Sequence, residues 1–66
     1  MKIEIILKQF RKEQKITLKQ LSFKTGVSTT HLNDIENGLK EPGLTVLVKI
    51  ALALNTSIEK LIKIER

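Results

Sequence analysis

Few side chains in this sequence are equipped for bond-making chemistry, and their spacing excludes most of it. His31 is the only histidine among 66 residues and there is no cysteine, so neither a thiolate zinc site nor a disulfide can form. No carboxylate is placed to join His31 around a metal. No nucleophile stands with a base, no carboxylate pair marks a cleft, and no glycine loop is present to cradle a phosphate. These features argue against an enzyme and nominate no catalytic residue, metal ligand, cofactor or small-molecule ligand. Asn33 to Gly38 superficially echoes a calcium loop, yet Ile35 falls where that loop needs an oxygen ligand. Asn55-Thr56-Ser57 fits a glycosylation acceptor but reads better as a helix-capping turn, because Met1 to Leu7 is too short and too interrupted by Lys2 and Glu4 for a secretory signal or a membrane span. The expected location is therefore the cytoplasm, with no membrane partner.

What remains is the chemistry of charge and hydrogen bonding. Twelve Lys and Arg against seven Asp and Glu leave a net charge of +5, which favours polyanionic partners. Phe10 and Phe23 are the only aromatic residues, too few for a platform on which single-stranded nucleic acid would stack. A chain of 66 residues makes one domain, residues 1–66, near the small end of what folds alone. Such a chain buries only about 60% of its unfolded surface, so stability must come from apolar packing or from a partner subunit.

The polar side chains have to be positioned by helices. Ile3, Ile6, Leu7 and Phe10 recur at helical spacing and predict a first helix from about residue 2 to residue 14. Ile3 and Ile5 also alternate with charges as a strand would, but no second strand-like segment is evident to pair with them. Thr17, with Gln20 three residues on, forms a capping box that starts a second helix, and Gly26 ends it. Ser28 caps a third helix, about residues 28–37, which carries Leu32 and Ile35 inward and stops at Asn37-Gly38. Glu41-Pro42-Gly43 marks a loop, after which Leu47, Ile50, Ala51 and Leu54 trace one face of a fourth helix that Asn55 closes. Thr56 or Ser57 caps a short fifth helix that returns Ile58, Leu61 and Ile62 to the core, and Lys63 to Arg66 is expected to fray.

The second helix, the tight turn at Gly26-Val27 and the third helix together have the form of a helix-turn-helix. Leu21, Val27, Leu32 and Ile35 fall where its two helices and the core must touch, and Ser22 is small where the helices cross. Nearly the whole chain resembles the phage repressor and Cro group of bacterial regulators, the Xre family. The resemblance is carried by Phe10-Arg11, Thr17 to Leu21, Gly26-Val27-Ser28, Leu32, the run Ile35-Glu36-Asn37-Gly38, Pro42, and Leu47 through Leu54. It implies an all-α, compact, five-helix lambda-repressor-like domain that binds double-stranded DNA as a transcriptional regulator, most simply a repressor, with the third helix lying in the major groove.

Carried over position by position, the resemblance places Thr29, Thr30, Asn33 and Asp34 at base-contacting positions, and Ser28, Asn37 and Lys40 at positions that hold the phosphate backbone. It pairs Arg11 with Glu36 as a structural link between the first and third helices. Asparagine can grip adenine through N6 and N7, and a threonine methyl can pack on that of thymine. Two departures matter: Leu18 stands where many members carry a phosphate-bonding Gln, and the third helix has no Lys or Arg. The second departure keeps a competing reading open, a protein-interaction module of antitoxin-like or anti-repressor type with secondary DNA binding.

Leu44, Val48 and Leu52 form a second apolar stripe on the fourth helix, beyond what the core needs, and Ile62 and Ile64 extend it. The stripe predicts a symmetric homodimer that reads a palindromic operator.

Overall fold

In the computed structural model, which describes residues 1–66, both ends of the chain are extended and pair with each other. The elements run β1 (Lys2–Ile5), α1 (Leu7–Glu13), α2 (Leu18–Thr25), α3 (Thr29–Glu36), α4 (Leu44–Ala53), α5 (Ile58–Leu61) and β2 (Ile62–Glu65). The sequence predicts five helices in these places, but the first starts later than expected and the fifth ends at Leu61, before Ile62. The domain is nevertheless mainly helical rather than all-α, because β1 and β2 form an antiparallel two-stranded sheet.

This sheet corrects two expectations. The first helix begins at Leu7 instead of residue 2, and the C-terminal residues do not fray. Lys2-Ile3-Glu4-Ile5 has its partner in Ile62-Lys63-Ile64-Glu65, at the opposite end of the chain. The register sets Lys2 opposite Glu65, Ile3 opposite Ile64, Glu4 opposite Lys63 and Ile5 opposite Ile62. Residues directly opposed share a face. One face of the ribbon therefore pairs lysine with glutamate twice, and the other pairs isoleucine with isoleucine twice. A lone two-stranded ribbon is marginal. Here Ile5 packs against the core, and the Ile6 N–H donates to the Leu61 carbonyl at 2.8 Å, which ties the ribbon to the helices.

One cluster of nine buried residues makes the core: Leu7, Leu21, Val27, Leu32, Ile35, Ile50, Ala51, Leu54 and Leu61. Each helix supplies at least one of them or ends on one. Ile3, expected on the inner face of the first helix, is instead 53% exposed because it lies in β1. No helix is long and apolar enough to cross a membrane.

Three helices end in the same way. After α1, α3 and α4 the residue beyond the C-cap is left-handed, at Lys15 (φ 56°), Gly38 (φ 72°) and Asn55 (φ 54°). In each case its N–H and the next one fold back onto helix carbonyls: Lys15 to Lys12 and Ile16 to Arg11, Gly38 to Ile35 and Leu39 to Asp34, Asn55 to Leu52 and Thr56 to Ala51. These are Schellman motifs, which satisfy carbonyls that would otherwise lack a partner. Gly and Asn tolerate the conformation; a lysine carries the steric cost of its Cβ there.

Candidate nucleic-acid interface

The connection that aims α3 is built from local bonds. The Thr17 hydroxyl accepts from the Gln20 N–H at 3.1 Å while the Gln20 side chain accepts from the Thr17 N–H at 2.9 Å, which starts α2. Gly26 ends it in the left-handed conformation at φ 74°. Thr25, the one polar residue buried as a whole, knits the turn: its hydroxyl donates to the Leu21 carbonyl at 2.8 Å and accepts from the Val27 N–H at 3.1 Å. Ser28 then caps α3, its hydroxyl accepting from the His31 N–H at 3.1 Å.

The back of α3 is anchored by Leu32 and Ile35, both fully buried. Its C-terminal end is held by an ion pair. Arg11 Nε donates to Glu36 Oε2 at 2.6 Å and Arg11 Nη2 to Oε1 at 3.2 Å, a bidentate grip. Arg11 Nη1 also donates to the Ile16 carbonyl at 2.9 Å, so one guanidinium joins α1, α3 and the segment entering α2. The two side chains are 12% and 3% exposed. Glu36 is thereby neutralised, and Asp34 is the only carboxylate of α3 outside an ion pair.

With the helix held from behind, its other face is open. Thr29, Thr30 and Asn33 are exposed, and Asp34 and His31 are half-buried. Ser28, Asn37 and Lys40 are exposed at its two ends. Leu18 is half-buried and packs against the core, so the start of α2 offers an apolar side chain where the family's Gln would stand.

The structure brings Lys2 to the end of α3, a placement that sequence reasoning missed. It lines a cleft of about 360 Å³ with Asn37, Gly38, Lys40 and the carboxylates Glu4, Glu36 and Glu41, because β1 lies beside the end of α3. No signal in the sequence reveals this, since it depends on a strand paired across the whole chain. On the fourth helix Leu44 is 73%, Val48 38% and Leu52 75% exposed. Ile62 and Ile64 are not helical neighbours of that stripe; they lie in β2, where Ile62 is half-buried opposite Ile5 and Ile64 is exposed opposite Ile3.

A family model described as helix-turn-helix matches residues 7–61, which takes in every helix and leaves out both strands. The chain is 40% identical over 52 residues to an uncharacterized HTH-type transcriptional regulator, y4dL, of Sinorhizobium fredii, across 79% of this chain and 26% of that protein. It is similar in structure to the N-terminal DNA binding domain of SinR from Bacillus subtilis, with a TM-score of 0.78, 36% identity, and coverage of 83% of this chain and 81% of that one. The restriction-modification controller protein C.AhdI from Aeromonas hydrophila shares the fold, with a TM-score of 0.81 over 83% of each chain at 24% identity. The chain spans between 26% and 36% of the length of the first curated relatives it matches.

Proposed function

The chain belongs to the helix-turn-helix family, and on that premise we propose that it is a transcriptional regulator, a repressor, that binds double-stranded DNA by seating α3 in the major groove. The observation that carries this reading is the open face of α3: Thr29, Thr30 and Asn33 stand exposed on a helix whose back is buried through Leu32 and Ile35 and whose end is gripped by Arg11. A rigid helix that displays small polar side chains suits base-edge readout, in which asparagine pairs with adenine and threonine methyls meet thymine. Asp34 completes the reading set, with a cytosine amino group as its natural donor. Ser28, Asn37 and Lys40 hold phosphates, joined by Lys2.

The exposed stripe Leu44, Val48 and Leu52 is the surface through which two copies associate in the cytoplasm. A twofold dimer sets its recognition helices about 34 Å apart and so reads a palindromic operator.

Selection of bound fragments from random duplex DNA, followed by sequencing, tests the reading. Enrichment of a palindromic, A·T-preferring site is expected; a pool that stays random overturns it. A second reading, a protein-interaction module with secondary DNA binding, is favoured by one observation: α3 has no Lys or Arg while Asp34 lies outside any ion pair. The salt dependence of binding separates the two, because phosphate contacts make affinity fall steeply with ionic strength.

A further inference from the structure

Phe23 is 92% exposed, although it stands in the middle of α2 between the buried Leu21 and Thr25. It borders an open, shallow groove of about 470 Å³ whose other lining residues are Lys15, Ile16, Lys19, Gln20 and Lys24. No acidic side chain occurs between Glu13 and Asp34, and the chain's one ion pair is Arg11 with Glu36, so the three lysines face outward unopposed. Lys15 holds its place in a left-handed conformation that α3 and α4 give to Gly38 and Asn55.

We infer that this groove docks an acidic, amphipathic helical segment of a partner protein, whose apolar ridge rests on Phe23 and Ile16 and whose flanking carboxylates meet Lys15, Lys19 and Lys24. Charge complementarity selects the partner. An apolar centre within a polar rim is the usual anatomy of a protein–protein interface, and the lysine stems widen the apolar floor while their ammonium groups stay in water. Duplex DNA would satisfy the lysines and leave Phe23 without a partner, because its bases are stacked inside the helix. The groove is formed by α2 and the turn before it, apart from the reading face of α3 and the α4 stripe, so the inference stands whether or not α3 reads DNA.

The probe is a synthetic peptide of about 16 residues, long enough to be helical, with Leu at i, i+4 and i+7 and Glu at the intervening positions. A peptide of the same composition with its leucines spread around the helix is the control. Backbone amide shifts of the ¹⁵N-labelled chain should move at Lys15, Ile16 and Lys19 through Lys24 with the probe and little with the control. Phe23→Ser, at a fully exposed position that leaves the fold intact, should weaken the probe about tenfold or more while its affinity for random duplex DNA stays the same. Lys19→Ala and Lys24→Ala should each weaken the probe, as should added salt. The inference is overturned if the probe fails to bind at millimolar concentration, if the shifted amides lie on α3 or α4, or if Phe23→Ser binds the probe normally. It is equally overturned if these substitutions lower duplex binding and spare the probe, which would assign the groove to DNA.

Discussion

Arg11 and Glu36 meet through two side-chain hydrogen bonds, 2.6 Å and 3.2 Å long, across the contact between α1 and the end of α3. With Glu36 only 3% exposed, removing one partner strands the other's charge in a shielded place. Either Arg11→Met or Glu36→Gln should lower stability by about 3–5 kcal/mol, read by thermal or denaturant unfolding. The double substitution should cost clearly less than the sum of the two; additive losses would show that the pair is not coupled. Protein that remains folded should keep its base preference.

Asn33→Ala should leave the unfolding midpoint within the range of an ordinary surface change and weaken discrimination at one base position by about 1–3 kcal/mol. Comparing selected sites for the two proteins checks this. The same consensus from both would remove Asn33 from the reading set.

Lys40→Ala should weaken specific and random duplexes alike and reduce the slope of log affinity against log salt by about one unit, as the loss of one phosphate contact does. Lys2→Ala should act the same way, because Lys2 borders the cleft it shares with Lys40. A loss confined to one base pair would contradict the phosphate role of either lysine.

Leu52→Glu replaces a side chain that is 75% exposed, so the monomer fold should survive. Sedimentation equilibrium at micromolar concentration should find dimers of the parent chain and monomers of the variant, with much weaker operator binding by the latter. If the variant is dimeric and binds normally, two copies associate through some other surface.

Lys15→Gly should raise stability by about 1 kcal/mol, because glycine adopts the left-handed C-terminal position of α1 without a Cβ clash. The same substitution should weaken binding of the acidic peptide probe. An unchanged or lowered melting temperature would show that Lys15 contributes contacts that offset its backbone strain.

The sequence by itself determined the parts of this protein that depend on neighbours a few positions apart. Thr17 with Gln20, Gly26, and Ser28 ahead of His31 set the boundaries of α2 and α3, because capping bonds span only three residues and turn handedness belongs to a single one. Helical periodicity likewise picked out Leu21, Leu32, Ile35, Ile50 and Leu54 as core, and hence the opposite, open face of α3. Tertiary structure decided the ribbon: Ile3 and Ile5 alternate with charges as a strand does, but four residues at each end make no stable pair until the helices bring the ends together and backbone hydrogen bonds can close between them. That closure moved Ile3 out of the core, placed Ile62 and Ile64 in a strand, and carried Lys2 to the cleft beside Asn37 and Lys40. Thr25 as the clasp of the turn and Lys15 in a left-handed residue's place were also invisible beforehand. A hydroxyl turns inward, and a strained backbone holds, only where the surrounding packing leaves no cheaper conformation.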